Sequence, residues 1–281
     1  VTIAETDIAR WREAIGQSEI RRQRLDPEFA RRYAAAIGVD LDVERSFPPL
    51  GHWAYFLDAI SPAAIGADGH PKRGGGVMPD VSLPRRMFAG GALDFHAPLT
   101  LGRDAELTLT IADVRHRAGR SGELVFVDVD RVIAQDGETR ITERQTIVYR
   151  DPGDRLPPIV PAEAPTVSGQ DIWTPTSVDL FRFSAVTFNS HRIHYDLPYA
   201  IEREGYPGLV VHGPFTAAKL FAQAQTRGPI CHFTFQAKAP IFEGQSVHLS
   251  RSDQENKVEA IRCDGAIAMS ATFGLESSGS L

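Results

Sequence analysis

Gly213-Pro214-Phe215-Thr216-Ala217-Ala218-Lys219-Leu220-Phe221-Ala222-Gln223-Ala224-Gln225 repeats its apolar residues at helical spacing, with Ala217, Leu220, Phe221 and Ala224 on one face. Pro214 suits a first helical turn, and Gly228-Pro229 ends the run. Downstream the period drops to two. Phe233 alternates with Phe235 and Val247 with Leu249, and Asp264-Gly265 offers a tight turn before a last strand over 266–273. One apolar helix followed by antiparallel strands predicts a sheet wrapped around that helix.

The same order of signals occurs earlier in the chain. Between 87 and 149, Leu107, Leu109 and Ile111 alternate with polar residues, and Val125, Val127 and Val129 mark a more apolar strand. Asp136-Gly137 then turns into a strand over 139–149. Pro98-Leu99-Thr100-Leu101-Gly102 is echoed by Pro240-Ile241-Phe242-Glu243-Gly244, which points to a degenerate duplication. In the first copy the matching helix would be 53–60, preceded by Gly51-His52. Two such copies predict an α+β fold of two helix-wrapped antiparallel sheets, docked edge to edge with a cleft at their seam.

Residues 1–46 read as helical, with Ile8, Trp11 and Ile15 on one face and Phe29, Tyr33 and Ile37 on another. Asp26-Pro27 is the expected start of a helix and Gly38 its stop. The stretch around Gly74-Gly75-Gly76 predicts an irregular segment able to line a site. Asp151-Pro152-Gly153, Pro157, Pro158, Pro161 and Pro165 resist helix and sheet alike. The expected division is an N-terminal unit 1–153, a linker 154–165 and a C-terminal unit 166–281 that carries the chemistry.

A chain of 281 residues, 42 % hydrophobic and 23 % charged, is ordinary globular protein, which excludes disorder, collagen and coiled coil. Its net charge of -6 repels nucleic acid and anionic lipid. No apolar run approaches a bilayer span and the start lacks a secretory pattern, so the cytoplasm is the expected compartment. Cys231 and Cys263 are too few for a disulfide framework.

Chemistry concentrates in Thr187-Phe188-Asn189-Ser190-His191-Arg192-Ile193-His194-Tyr195-Asp196. An imidazole titrates near neutrality, so His191 or His194 could exchange protons with a substrate. Their spacing offers a metal two ligands but no third, and no metal is expected. Gly205-Tyr206-Pro207-Gly208-Leu209-Val210-Val211-His212-Gly213-Pro214 leads into the apolar helix, with Gly213 expected at the N-cap. Its amide and the positive helix end could stabilise an oxyanion. His96, His232 and His248 fall in strand-like runs and read as structural, while His52 and His70 stay open.

Residues 183–200 and 208–214 together resemble the MaoC-like hydratase and dehydratase superfamily, which has the hotdog fold. Pro49-Leu50-Gly51-His52-Trp53, His70-Pro71-Lys72-Arg73-Gly74-Gly75 and Leu83-Pro84-Arg85-Arg86-Met87-Phe88-Ala89-Gly90-Gly91 narrow the likeness. With these included, the chain is similar to the double-hotdog itaconyl-CoA and 3-methylfumaryl-CoA (mesaconyl-CoA) hydratases. The resemblance implies hydration of a branched unsaturated dicarboxylic acyl-CoA to citramalyl-CoA, with no cofactor beyond the coenzyme A of the substrate.

The resemblance also exposes a departure. Aligning His194 with the superfamily's catalytic histidine puts Asn189 where an aspartate usually stands, and an amide cannot accept a proton from water. His194 is then expected to activate the water, Asn189 to hold water or substrate, and the Gly213 amide to stabilise the thioester enolate. Asp196 could orient an imidazole. Arg85, Arg86 and Arg192 are candidates for the substrate carboxylate, with His191, Tyr195 and His212 as further substrate contacts. Competing expectations are a 3-hydroxyacyl-thioester dehydratase of fatty-acid metabolism, a hotdog thioesterase and a non-catalytic acyl-CoA-binding protein. A homo-oligomer is compatible with the duplication.

Overall fold

The computed structural model describes residues 3–43, 45–119, 122–162, 171–252 and 254–276. Its elements run α1 (Glu5–Arg12), β1 (Ser18–Arg24), α2 (Pro27–Ala36), β2 (Arg85–Phe95), β3 (Asp104–Gly119), β4 (Gly122–Gln135) and β5 (Glu138–Arg150). After the segment from 151 to 162, which has no regular structure, come β6 (Ile172–Trp173), α3 (Ser177–Val186), α4 (Leu197–Glu202) and α5 (Gly213–Gln225). The chain closes with β7 (Ile230–Ala237), β8 (Val247–Ser252), β9 (Lys257–Arg262) and β10 (Ile267–Leu275). Residues 163–165 of the expected linker lie outside the described residues.

All ten strands form one antiparallel sheet in the order β1-β3-β4-β5-β2-β7-β10-β9-β8-β6. The expected edge-to-edge docking is the β2–β7 pair, which aligns Gly91 with Phe235 and Leu93 with Phe233. Glycine is required at this seam. A Cβ on Gly90 would stand 2.5 Å from the Phe235 carbonyl oxygen, and β2 is irregular between Phe88 and Gly90.

Helix α5 lies against β2 and β7 to β10, and Ala217, Leu220, Phe221 and Ala224 are all buried. Burying Leu220 and Phe221 contributes ~1.5–3 kcal/mol each. Phe183 of α3 stacks on Phe215 at 4.8 Å between ring centres, and Tyr33 of α2 packs beside Phe183. These rings belong to one apolar cluster that reaches Leu107, Ile133 and Ile141 of the first-half strands. A second cluster lies under α1, where Trp11 meets Ile111, Val125 and Val127.

Two expectations about the first half fail. Residues 18–24 form strand β1, paired with β3, and not helix. Their exposure alternates residue by residue, and sheet pairing overrides the helical preference of an arginine-rich run. Of the apolar faces, Ile15 lies beyond α1 and is exposed, whereas Tyr33 and Ile37 are fully buried as α2 predicts. Asp26 caps α2 through the Glu28 amide, and Gly38 takes the left-handed conformation after it.

The second failure is the helix expected over 53–60. Only a 3₁₀ turn, Gly51–Ala54, forms there, because the polar atoms of His52 and Trp53 are drawn to a buried carboxylate. Trp53 Nε1 donates to Glu143 at 2.9 Å, His52 Nε2 lies 3.2 Å from the same carboxylate, and Gln145 Nε2 donates at 2.7 Å. Arg131 adds an ion pair at 3.2 Å. Burial alone would raise the Glu143 carboxyl, but the hydrogen bond and charge of His52, with Arg131, outweigh it and bring it down to about 2.

Because this pKa is depressed on folding, the carboxylate's stabilisation is complete above the ordinary glutamate value, ~4.3, and is lost as pH falls towards about 2. Glu143→Ala should cost about 3–5 kcal/mol in denaturant unfolding at neutral pH, since it strands the partly buried Arg131 and leaves the buried His52 and Trp53 ring nitrogens without their acceptor. The difference from wild type should shrink as the pH is lowered through that window.

Candidate active site

The Asn189 to Asp196 segment follows α3, whose N-terminus is fixed by a capping box between Thr176 and Asp179. Asn189 N–H donates to the Ser184 carbonyl at 2.9 Å, and the Asn189 Oδ1 accepts from the His191 amide at 3.0 Å. The chain then makes a 3₁₀ turn, Arg192–His194, and Ile193 exchanges backbone contact with Val210, whose N–H donates to the Ile193 carbonyl at 2.9 Å. That contact seats His194, 7 % exposed, beside the start of α5.

His194 Nδ1 donates to the Val210 carbonyl at 2.7 Å. A carbonyl can only accept, so the proton sits on Nδ1 and Nε2 keeps a free lone pair. Burial pushes the His194 pKa down to about 4, opposed by the Val210 hydrogen bond and reinforced by His70. The neighbouring imidazole of His212 stacks on His194 at 3.6 Å between ring centres and shares a 2.8 Å hydrogen bond with the Ser184 hydroxyl. Burial and the charges His194 and His191 would carry hold His212 well below its ordinary value. Burial, with His70 and His194 nearby, likewise takes His191 down to about 2.

His194, His191, Asn189 and Gly213 all line one cavity of roughly 550 Å³. A second cavity of roughly 850 Å³ shares His70, Asn189, Arg131 and Gln145 with it. A shallower hollow elsewhere, between Arg22 and Asp136, holds none of these histidines. Gly213 is the first residue of α5 and not its N-cap, which is His212; Pro214 takes the second position, because the chain stays extended until His212. As a first-turn residue Gly213 still precedes the intrahelical ladder. A Cβ there would meet nothing closer than Phe88 at 3.5 Å.

The arginine candidates separate. Arg85 is tied to Glu204 at 2.9 Å and lies over the Tyr206 ring. Arg192 binds Asp196 at 2.7 Å, lies over the Tyr199 ring and donates to the Ala67 carbonyl. Arg86 lines the cavity with the histidines, and among the described residues its guanidinium has no hydrogen bond or ion pair. Asp196 caps α4 through the Tyr199 amide and pairs with Arg192, so it orients no imidazole; the Val210 carbonyl does that for His194. Tyr195 is half exposed, donates to the Ser190 carbonyl and faces the second cavity only.

Sequence reasoning left His70 open and passed over Asp68. The turn at 66–71 is fastened to the histidine segment. Arg192 N–H donates to the Asp68 carbonyl at 2.9 Å, and the Ser190 hydroxyl to the Gly69 carbonyl at 2.5 Å. A Cβ on Gly69, at φ +90, would stand 1.8 Å from the Ser190 carbonyl oxygen, so only glycine permits the approach. It brings His70 to 4.0 Å from the His191 ring, with His70 Nδ1 donating to Asp68 at 3.0 Å. Burial would raise the Asp68 carboxyl, but the hydrogen bond and charge of His70 hold it well below the carboxylate range. Asp68, His70 and His191 are close enough to share a cation, a grouping that spacing around residue 191 alone could not reveal. The signal that was legible is the Asp-Gly-His order at a glycine turn.

No helix among the described residues is long and apolar enough to cross a membrane. Residues 50–243 match the family described as hydroxyacyl-thioester dehydratase type 2. The chain is 42 % identical to the mesaconyl-C(4)-CoA hydratase of Chloroflexus aurantiacus, over 95 % of this chain and 98 % of that protein. It is 24 % identical to the mitochondrial hydroxyacyl-thioester dehydratase type 2 of Schizosaccharomyces pombe, over 75 % of this chain and 79 % of that one. In structure it is similar to HtdX of Mycobacterium tuberculosis, with a TM-score of 0.67 at 18 % identity, covering 92 % of this chain and 99 % of the other. It also resembles a second protein of that organism described as a double hotdog, with a TM-score of 0.54 at 13 % identity, covering 92 % and 95 %. The chain therefore has the double-hotdog fold and belongs to the hydroxyacyl-thioester dehydratase type 2 family of hydro-lyases.

Proposed function

We propose that this protein adds water across the double bond of a short branched dicarboxylic enoyl-CoA, 3-methylfumaryl-CoA or itaconyl-CoA, to give citramalyl-CoA. The observation that carries the reading is the fixed tautomer of His194: its Nδ1 proton is committed to Val210, which leaves Nε2 as a base in the cavity that Gly213 lines. At neutral pH a pKa near 4 keeps this imidazole unprotonated and ready to accept. With 3-methylfumaryl-CoA, whose double bond is conjugated with the thioester, a water on Nε2 loses its proton as its oxygen bonds to the β-carbon, and the double-bond electrons move onto the thioester oxygen. The Gly213 amide and the positive end of α5 stabilise that oxyanion. Asn189, fixed by its contact with the His191 amide, holds water or substrate without taking the proton.

The substrate's second carboxylate is the other half of the reading. Of the three candidate arginines, Arg86 has its guanidinium uncommitted in the cavity, which suits a bidentate fork to a carboxylate. The likeness to a mesaconyl-C(4)-CoA hydratase supports the same substrate class. A fatty-acid dehydratase would have no carboxylate for Arg86 to bind.

His194→Ala should lower kcat for hydration of 3-methylfumaryl-CoA by ~10²–10⁴-fold, and a loss under about tenfold would count against its role as base. Arg86→Ala should cost about 1.5–3 kcal/mol of transition-state binding for dicarboxylic enoyl-CoAs. It should leave hydration of a short monocarboxylic enoyl-CoA nearly unchanged. Equal losses on both substrates would remove Arg86 from carboxylate recognition.

A further inference from the structure

The proposed hydration needs a proton at the α-carbon as well as a base for the water, and Asn189 cannot serve either end. We propose that Asp68 and His70 form a catalytic dyad, in which His70 exchanges the α-carbon proton and Asp68 positions it. This inference rests on the hydratase reading and deepens it.

Four observations carry it. His70 reaches the site from a separate segment, and the construction that holds it there is specific: the Gly69 turn, the Ser190 hydroxyl and the Arg192 amide all clamp 66–71 onto the histidine segment. Its Nδ1 donates to the Asp68 carboxylate at 3.0 Å, while the Asp68 carboxylate also accepts from the His70 amide at 3.0 Å. The carboxylate therefore fixes the ring's tautomer and offsets the charge of an imidazolium, leaving Nε2 to act. His70 lines both cavities, at the wall they share with Asn189. It also stands at the end of a row of rings, 4.0 Å from His191, which is 5.4 Å from His194.

The step balances without a further reactant. His194 Nε2 takes one proton from water while the water oxygen bonds to the β-carbon and the double-bond pair moves to the thioester oxygen. The imidazolium of His70 gives its Nε2 proton to the α-carbon as the enolate collapses to the thioester. His194 then carries the proton His70 has lost; His194 gives it up to solvent and His70 takes one from solvent, which resets the site. The groups facing His70 are Asp68, which favours its charged form, and His191, Arg86 and Arg73. Burial, the largest effect, together with Arg86 and Arg73 outweighs Asp68, so in the free protein the His70 pKa is lowered and the charged form has to be gained on substrate binding. A substrate carboxylate on Arg86 would offset one of those charges, so the bound substrate itself favours protonation of the dyad.

The test compares wild type, His70→Ala and Asp68→Asn on 3-methylfumaryl-CoA, with and without added imidazole and with and without a chelator. The dyad predicts kcat lowered ~10²–10⁴-fold in His70→Ala with KM little changed, and partial recovery of rate by imidazole. Asp68→Asn should lower kcat by about tenfold or more, because an amide cannot hold the imidazolium or fix its tautomer. A folded His70→Ala within about tenfold of wild type overturns the dyad. So does a loss that appears in KM and is not rescued by imidazole, which would make His70 structural. If His70→Ala does not fold, an unchanged kcat in Asp68→Asn overturns it. Wild-type activity that is lost to chelator and restored by zinc would assign Asp68, His70 and His191 to a cation instead. A wild type that hydrates no member of a dicarboxylic and monocarboxylic panel overturns the hydratase reading, and the dyad with it.

Discussion

The hydrogen bond from His194 Nδ1 to the Val210 carbonyl, at 2.7 Å, is the constraint on which the site depends. It joins two segments, each held by its own backbone. Val210 N–H is bound to Ile193, the residue before His194, and Val211 N–H to Ile241, so the carbonyl that fixes the imidazole is itself fixed. Because the contact is buried, no water competes for the Nδ1 proton. The same packing that lowers the ring's pKa places His194 in the cavity wall.

The wider fold explains why that cavity exists. Among the described residues α5 is the longest helix, the sheet wraps it, and its first turn opens beside His194. Among the described residues the first half contributes no equivalent helix. It supplies instead the long strands β3 to β5, a buried carboxylate network around Glu143, and the irregular run from 51 to 84 that carries His70 to the second half. The two halves thus contribute different parts. One holds α5 and His194, and the other brings Arg86 and the Asp68–His70 turn to them across the seam that Gly90 makes possible.

Much of this was legible from residue order. The α5 period, the strand alternation, the Asp136-Gly137 turn and the Asp26-Pro27 cap are local signals, and local physics decides them. The seam was also readable, as two sheets needing protection for their edges. Strand β1 was not, since its arginine-rich run finds its partner in β3, eighty or more residues away. The absent first-half helix depends on Glu143, some ninety residues from Trp53. At the site, the cluster from 189 to 196 announced itself by density. The separation of Arg86 from Arg85 and Arg192 depended on which guanidiniums already had partners, and His70 on a close approach that only the folded Gly69 turn reveals.

The central claim is that His194 is a neutral imidazole with its proton on Nδ1 and a free Nε2. The direct measurement is nitrogen NMR of the isotope-labelled histidine rings, assigned through His194→Gln and followed from about pH 5 to 8, the range in which an ordinary imidazole titrates. The account predicts a protonated Nδ1 and an unprotonated Nε2 for His194 throughout, without a titration near the ordinary histidine value. A proton on Nε2, or a midpoint close to that of a solvent-exposed histidine, would contradict it.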